Sequence, residues 1–297
     1  MPQLKNVKHK HKQFIRSAEF TEKRRLTLKD IELLKDVADY RFLDSQQINL
    51  LHPASKSYRQ RRLQWMFHAG LLDRPLAQVP PLAFRPRRHI IYALGSAGAH
   101  ALLQEHPEFN ERINWQQKNR GVKDQHLWHT MMVTDFRACL TLALKNHKLA
   151  ELVSWKQGKD IKDYVRLNGG RKAAVDPDGL FTLKDKGDLI HFCLEADRST
   201  MDHGKFLRKL LAYWHWWKEG GPGRKLGIKR FRVLTITKSE ERMENLRQLA
   251  KQADEQKRGS EMFWFACEKQ YQVTKPATIL APVWRSPKDD TPHHLLE

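Results

Sequence analysis

Cysteine is scarce in this chain. Its three copies, Cys139, Cys193 and Cys267, are odd in number and far apart, which excludes a disulfide framework and any CxxC metal knuckle and leaves them as buried, reduced thiols. No apolar run approaches the length a membrane span needs. Met1 to Lys12 is rich in lysine and histidine, so no apolar signal core is expected and the protein reads as soluble and cytoplasmic. Acidic residues are the third shortage. Against 54 lysines and arginines stand 34 aspartates and glutamates, a formal charge of +20, and that balance favours polyanionic partners, nucleic acid before anionic lipid. A glycine-rich phosphate loop is also missing: no GK[ST] follows Gly220-Gly221-Pro222-Gly223, which reads as a flexible turn.

At 297 residues the chain is long enough for two modest domains, each with its own core. The pattern divides into a basic flexible arm over 1–25, a first domain over 26–105, a polar linker over 106–124, a second domain over 125–275 and an irregular tail over 276–297 carrying four prolines. In the first domain Thr27 and Asp30 open a helix along Ile31, Leu34 and Val37. Asp44 and Ser45 open a short second helix that ends before Pro53. A third, from Ser55 to Ala69, aims Tyr58, Leu63, Met66 and Phe67 at a core and stops at Gly70. Two strands joined by a proline-rich basic loop follow, ending at Ile90 to Leu94. That order predicts a winged helix-turn-helix. Within it Lys56, Ser57, Arg59, Gln60 and Arg61 are the candidates for base edges in the major groove, and Arg87 and Arg88 in the wing for backbone or minor groove.

The second half is expected to be α/β, making the whole chain α+β. The pattern gives a helix from His126, strands at Leu152–Trp155, Ala174–Leu183 and Leu189–Ala196, a helix from Gly204, a strand at Arg232–Thr237, a charged helix from Glu240 and a strand at Met262–Cys267. That order matches the core of restriction-endonuclease-like folds. Alternation along a strand puts Glu195 and Asp197 on one face. Pairing through the turn at Lys184–Asp188 brings Asp178 toward Glu195. Three carboxylates are hard oxygen donors suited to Mg2+ or Mn2+, and Lys209 on the following helix, with Lys205 as second choice, supplies the cation such a site uses against negative charge. Asp176 and Arg198 flank the set. The competing reading is an ordinary strand end whose acids pair with Arg198, Lys205 and Lys209 in solvent.

Asp176-Pro-Asp-Gly179, Leu194-Glu-Ala-Asp-Arg-Ser-Thr200, Lys209-Leu-Leu-Ala-Tyr213 and Arg232-Val-Leu-Thr-Ile-Thr237 resemble motifs of the plasmid replication-relaxation family. Leu43-Asp-Ser-Gln-Gln-Ile48, Arg61-Arg-Leu63 and Ala69-Gly-Leu-Leu72 resemble its winged-helix part. The resemblance runs from about residue 28 to 250 and implies kinship with MOBC-class relaxases and PD-(D/E)XK nucleases, hence metal-dependent nicking of DNA at an origin of transfer or replication. It casts Asp178 as the Asp of the Pro-Asp element and Glu195 as the acid of (D/E)XK. The lysine of that element is replaced by Asp197. Either Lys209 has taken its role, or a third carboxylate has, or the site is inactive. The alternative function is therefore a non-enzymatic relaxosome or replication accessory factor, homodimeric or partnered with other conjugation proteins.

His126 and His129 share a helical face and are candidates for an accessory role at metal or phosphate. The histidine-hydrophobe-histidine signature of the commoner relaxases is absent. Tyr213 has the chemistry for a covalent link to nicked DNA, but an aromatic at helical spacing favours a core role, with Trp214 and Trp217 expected against the sheet.

Overall fold

The computed structural model describes residues 12–79, 89–107, 115–145, 147–199, 201–253 and 258–297. The chain is mixed α/β and divides into two compact units, residues 1–134 and 135–297. The basic arm before Lys12 and the wing loop with Arg87 and Arg88 lie outside the described residues.

In the first unit α1 (Leu28–Tyr40), β1 (Leu43–Asp44), α2 (Ser45–Leu51) and α3 (Lys56–His68) precede β2 (Leu72–Asp73), β3 (Ile91–Leu94), α4 (Ser96–Glu105) and α5 (Trp115–Arg120). The helix starts are where local chemistry puts them. Thr27 and Asp30 form a reciprocal capping box on α1, and Asp44 with Gln47 does the same on α2; such caps each contribute about 1 kcal/mol. The three strands form an antiparallel sheet in the order β1-β3-β2. Beneath the helices the Arg62 guanidinium grips the buried Asp30 carboxylate, its Nε donating at 2.9 Å, and packs over Trp65.

Two expectations for this unit need correction. Tyr58 is exposed rather than core, because Arg62, Leu63, Met66 and Phe67 already fill the inward face of α3. Residues 115–120, expected within a linker, are helical. Asn119 is buried and donates to Asp73 and to the Leu94 carbonyl, and the Arg41 guanidinium packs over Trp115 and donates to Asn119 at 2.7 Å. Helix α6 (Asp124–Lys145) then runs through the division between units; Leu127 and Met131 join Phe42, Ile91 and Ala93 in the core of the first.

The second unit contains β4 (Ala150–Lys156), β5 (Asp163–Arg166), β6 (Lys172–Val175), β7 (Gly179–Asp185), β8 (Asp188–Asp197), α7 (His203–Lys218), α8 (Gly221–Leu226), β9 (Arg232–Thr237), α9 (Glu240–Ala250), β10 (Phe263–Cys267), β11 (Trp284–Arg285) and β12 (Pro292–His293). Seven strands form one sheet in the order β12-β11-β10-β9-β8-β7-β4. Its centre, β8-β9-β10, is parallel and covered on both faces, which is why β10 reads as the unbroken run Phe263-Trp-Phe-Ala-Cys267. On one face Phe206, Leu210, Tyr213 and Trp216 of α7 and Met243 and Leu246 of α9 pack on Cys193, Val233 and Phe265. On the other, Phe136, Trp155, Phe181, Phe192 and Trp284 form an aromatic layer.

The hairpin β7-β8 turns through Lys186 and Gly187, both at positive φ, as a two-residue primed turn demands. The strand expected over Ala174–Leu183 is two strands. Val175 ends a separate hairpin, β5-β6, and Gly179 begins the main sheet, because Pro177 has no N–H to continue a ladder. The expected turn at Gly220–Gly223 is instead the start of α8, with Pro222 in its first turn; Gly221 is required there because a Cβ would meet the Trp216 indole. The segment 276–297, expected to be irregular, adds β11 and β12, anchored by the fully buried Trp284.

Candidate functional site

The turn at Lys186-Gly187 fixes the register of β7 on β8, and that register decides the site. Gly179 pairs with Leu194, and the Asp178 N–H donates to the Leu194 carbonyl at 2.9 Å, so Asp178 stands opposite Glu195. Directly opposed residues of an antiparallel pair project from the same face. Asp178 Oδ2 accepts the Ala196 N–H at 2.8 Å, and its own carbonyl accepts from the Gln157 side chain at 2.7 Å, which locks the start of β7 in place. The expected meeting of Asp178 and Glu195 is realised.

Glu195 is buried, only 3% exposed. Lys209 Nζ donates to its Oε2, and the Tyr213 hydroxyl donates to its Oε1 at 2.5 Å. Lys209 and Tyr213 lie one helical turn apart on α7, the spacing that stacks two side chains on one face. Burial raises the Glu195 carboxyl to about 7; Lys209 pulls against this and the nearby charge of Asp178 adds to it. Burial alone would lower Lys209, but Glu195 and Asp178 outweigh it and hold the ammonium above its ordinary value. Burial and Glu195 together keep the Tyr213 phenol protonated, far above its usual range. Tyr213 thus sits in the core as a hydroxyl donor.

Asp197 departs from the expected metal set. It shares a face with Glu195, but its carboxylate accepts from Arg242 Nε of α9 at 2.6 Å, and Arg242 also donates to the Met201 carbonyl. A buried carboxylate beside a guanidinium takes that pair in preference to standing alone against two other acids. Among the described residues no group of three or more His, Cys, Asp and Glu is arranged to hold a metal ion. Of the remaining candidates, Asp176 pairs with Lys162 at 2.6 Å. Lys205 pairs with Asp202 near the start of α7 and is largely exposed. Arg198 is partly exposed directly after β8. Trp214 and Trp217 were expected on the sheet. Tyr213 and Trp216 take the buried places, one helical phase away; Trp214 is half-buried against the same core, and Trp217 is 41% exposed.

In the first unit Lys56, Ser57, Gln60 and Arg61 form one exposed face of α3. Arg59 does not join them. It donates to the His52 carbonyl at the end of α2, and burial lowers its pKa, so it holds the α2-α3 turn. His126 and His129 fall in this unit too; burial, then Arg41, His129 and Lys118, depress His126 and keep its imidazole neutral.

Sequence reasoning missed Arg242 as the partner of Asp197 and the Tyr213 hydroxyl as the second support of Glu195. The signal for the latter was present in the i, i+4 spacing of Lys209 and Tyr213. Arg242 comes from a helix distant in sequence, and no local pattern points to it.

A family model described as replication-relaxation matches residues 34–228, more than half of the chain. The chain belongs to the replication-relaxation family. The match covers α3, the acid pair and the whole of α7. Membership points to a role in plasmid replication or relaxation and, with it, to interaction with DNA. No curated protein and no solved structure matches this family member. Among the described residues no helix is long and apolar enough to cross a membrane.

Proposed function

We propose that this protein is a relaxase-like DNA endonuclease that binds an origin and cuts one strand beside Asp178 and Glu195. The observation that carries the reading is the opposition of Asp178 and Glu195 at the open end of β7-β8, with Lys209 bound to Glu195. The first unit serves as a winged helix-turn-helix. Three helices followed by the β2-β3 pair support that assignment, and the exposed face of α3 offers Lys56, Ser57, Gln60 and Arg61 to the major groove. The second unit serves as a PD-(D/E)XK nuclease. The order of helix α6, strands β4, β7 and β8, helix α7 and strand β9 supports it.

Asp178 and Glu195 fit Mg2+ or Mn2+ as a two-carboxylate site. Each oxygen of Glu195 accepts one hydrogen bond and so retains a lone pair, and Mg2+ is commonly held by one or two carboxylates with water and phosphate completing its shell. A bound ion there would activate water and offset charge on the scissile phosphate. Lys209 opposes the burial that favours protonated Glu195 and carries positive charge to the same place, Tyr213 fixes the carboxylate plane, and the Ala196 N–H orients Asp178.

The test is nicking of supercoiled plasmid carrying the native origin in Mg2+ or Mn2+, with Asp178→Asn and Glu195→Asn as variants. Open-circle product from the wild type, lost at least a hundredfold in both variants while origin binding persists, is the expected result. One observation favours a second reading. The position of the (D/E)XK lysine is Asp197, closed in its pair with Arg242, as in a nuclease fold retained for DNA binding alone. Intact plasmid from the wild type despite tight origin binding would establish that accessory role.

A further inference from the structure

The hairpin β5-β6 stands apart from the seven-stranded sheet as a two-stranded ribbon. One of its faces is apolar: Val165, Ala173 and Val175 join the core beneath α7. The opposite face carries Tyr164, 50% exposed, with Arg166 beside it, and Arg166 pairs in register with Lys172. Lys172 Nζ lies 4.0 Å from the Tyr164 ring centroid. Arg171 is exposed at the ribbon's tip, after Gly169 and Gly170, both at positive φ. Among the described residues no carboxylate pairs with Arg166, Arg171 or Lys172. The ribbon's acid Asp163 instead accepts from the Trp216 indole of α7 at 2.8 Å, which fastens the ribbon to the helix bearing Lys209. Lys162, 5.8 Å from the same ring, is paired with Asp176; Lys172 at the ring, Arg166 on the same face and Arg171 at the tip leave a cationic surface without a carboxylate partner among the described residues.

We infer that this ribbon grips single-stranded DNA, with Tyr164 stacking an unpaired base and Arg166, Arg171 and Lys172 taking the flanking phosphates. The inference rests on the DNA-cutting reading and names the form of DNA held next to the acids. A solvent-facing aromatic ring offers a flat π-surface, and only an unstacked base has a free face to lay on it. Cations on the same ribbon supply the sequence-independent part of binding. Location supports the pairing of grip and site: β6 ends at Val175, and Asp178 follows three residues later, at most about 11 Å of chain.

The full-length protein tests this with a fluorescent oligodeoxynucleotide, single-stranded or as a hairpin-free duplex, titrated by anisotropy at several salt concentrations. Tyr164→Ala is expected to weaken single-strand binding about tenfold or more and to leave duplex binding within twofold. Arg166→Gln with Lys172→Gln is expected to flatten the single-strand salt slope by about 0.7 per lost phosphate contact. Thermal melting should be unchanged, since all three side chains are on the surface. Equal losses on duplex and single strand, or unchanged single-strand affinity in Tyr164→Ala, would overturn the inference. Asp178→Asn separates it from the nuclease reading: single-strand affinity that persists in this variant and is still lost on adding Tyr164→Ala supports the ribbon independently of cutting, and an inactive wild type with intact ribbon-dependent binding fails only the nuclease reading.

Discussion

Glu195 titrates about 7 because burial outweighs the help of Lys209, and this has a thermodynamic sign. Its ordinary value is 4.5, so between about pH 4.5 and 7 the folded protein holds a proton that the unfolded chain has released. Stability is therefore expected to fall as pH rises through that window and to level off above it. Urea unfolding in metal-free buffer at pH 5 and pH 8 measures the slope, and Glu195→Gln, neutral at every pH, should reduce it. The buried pair of Asp30 and Arg62 makes a second residue-scale prediction. Arg62→Ala leaves a carboxylate uncompensated under α1 and should cost roughly 3–5 kcal/mol by chemical denaturation. Legibility differed sharply between these residues. Asp178 and Glu195 could be brought together from sequence because a tight turn and strand alternation fix their register. The Arg62-Asp30 and Arg242-Asp197 pairs join elements far apart in the chain, and tertiary packing alone selects them.

Among the elements, α3 and α7 each present two faces with different duties. On α3 the exposed Arg61 and the inward Arg59 are two residues apart, yet of the two only Arg61 stands in solvent. Arg61→Ala should lower origin affinity and reduce the salt slope by about one phosphate contact. Arg59→Ala should instead leave the His52 carbonyl without its donor and cost about 1–3 kcal/mol of stability, with binding assays and denaturant titrations separating the two. On α7, Trp216→Ala should cost roughly 3–5 kcal/mol, whereas Trp217→Ala should stay within about 0.5 kcal/mol. Sequence placed this helix correctly within one residue at its start but chose Trp217 over Trp216 for the buried face. Four aromatics in five positions, from Tyr213 to Trp217, leave the apolar period ambiguous, and only the sheet beneath resolves it. Strand β10 was legible as an unbroken apolar run, which a parallel centre buried on both faces favours, and β9 as a β-branched run, Arg232-Val-Leu-Thr-Ile-Thr237; β5-β6 and β11-β12 were not, being short and dependent on contacts with α7 and on Trp284.

For the whole molecule, the informative feature is that the two compact units divide inside a continuous helix rather than at a linker. Composition suggested a boundary near residue 120, within the polar stretch that ends at Asp124. Leu127 and Met131, three and seven residues further on, are fully buried against Phe42, Ile91 and Ala93. A fragment ending at residue 120 therefore strips two large apolar side chains from the first core, each worth about 2–5 kcal/mol when removed, out of a total that for a domain of this size is about 5–15 kcal/mol. It also loses the chain that covers Phe42. A fragment ending at Lys145 keeps both side chains and the helix that carries them. Expressed separately, residues 1–145 should unfold cooperatively by circular dichroism and retain salt-sensitive duplex binding, while residues 1–120 should show no cooperative transition. A sharp transition in the shorter fragment would mean that the core under α1 and α3 closes without α6, and the first half of that helix would then belong to the second unit.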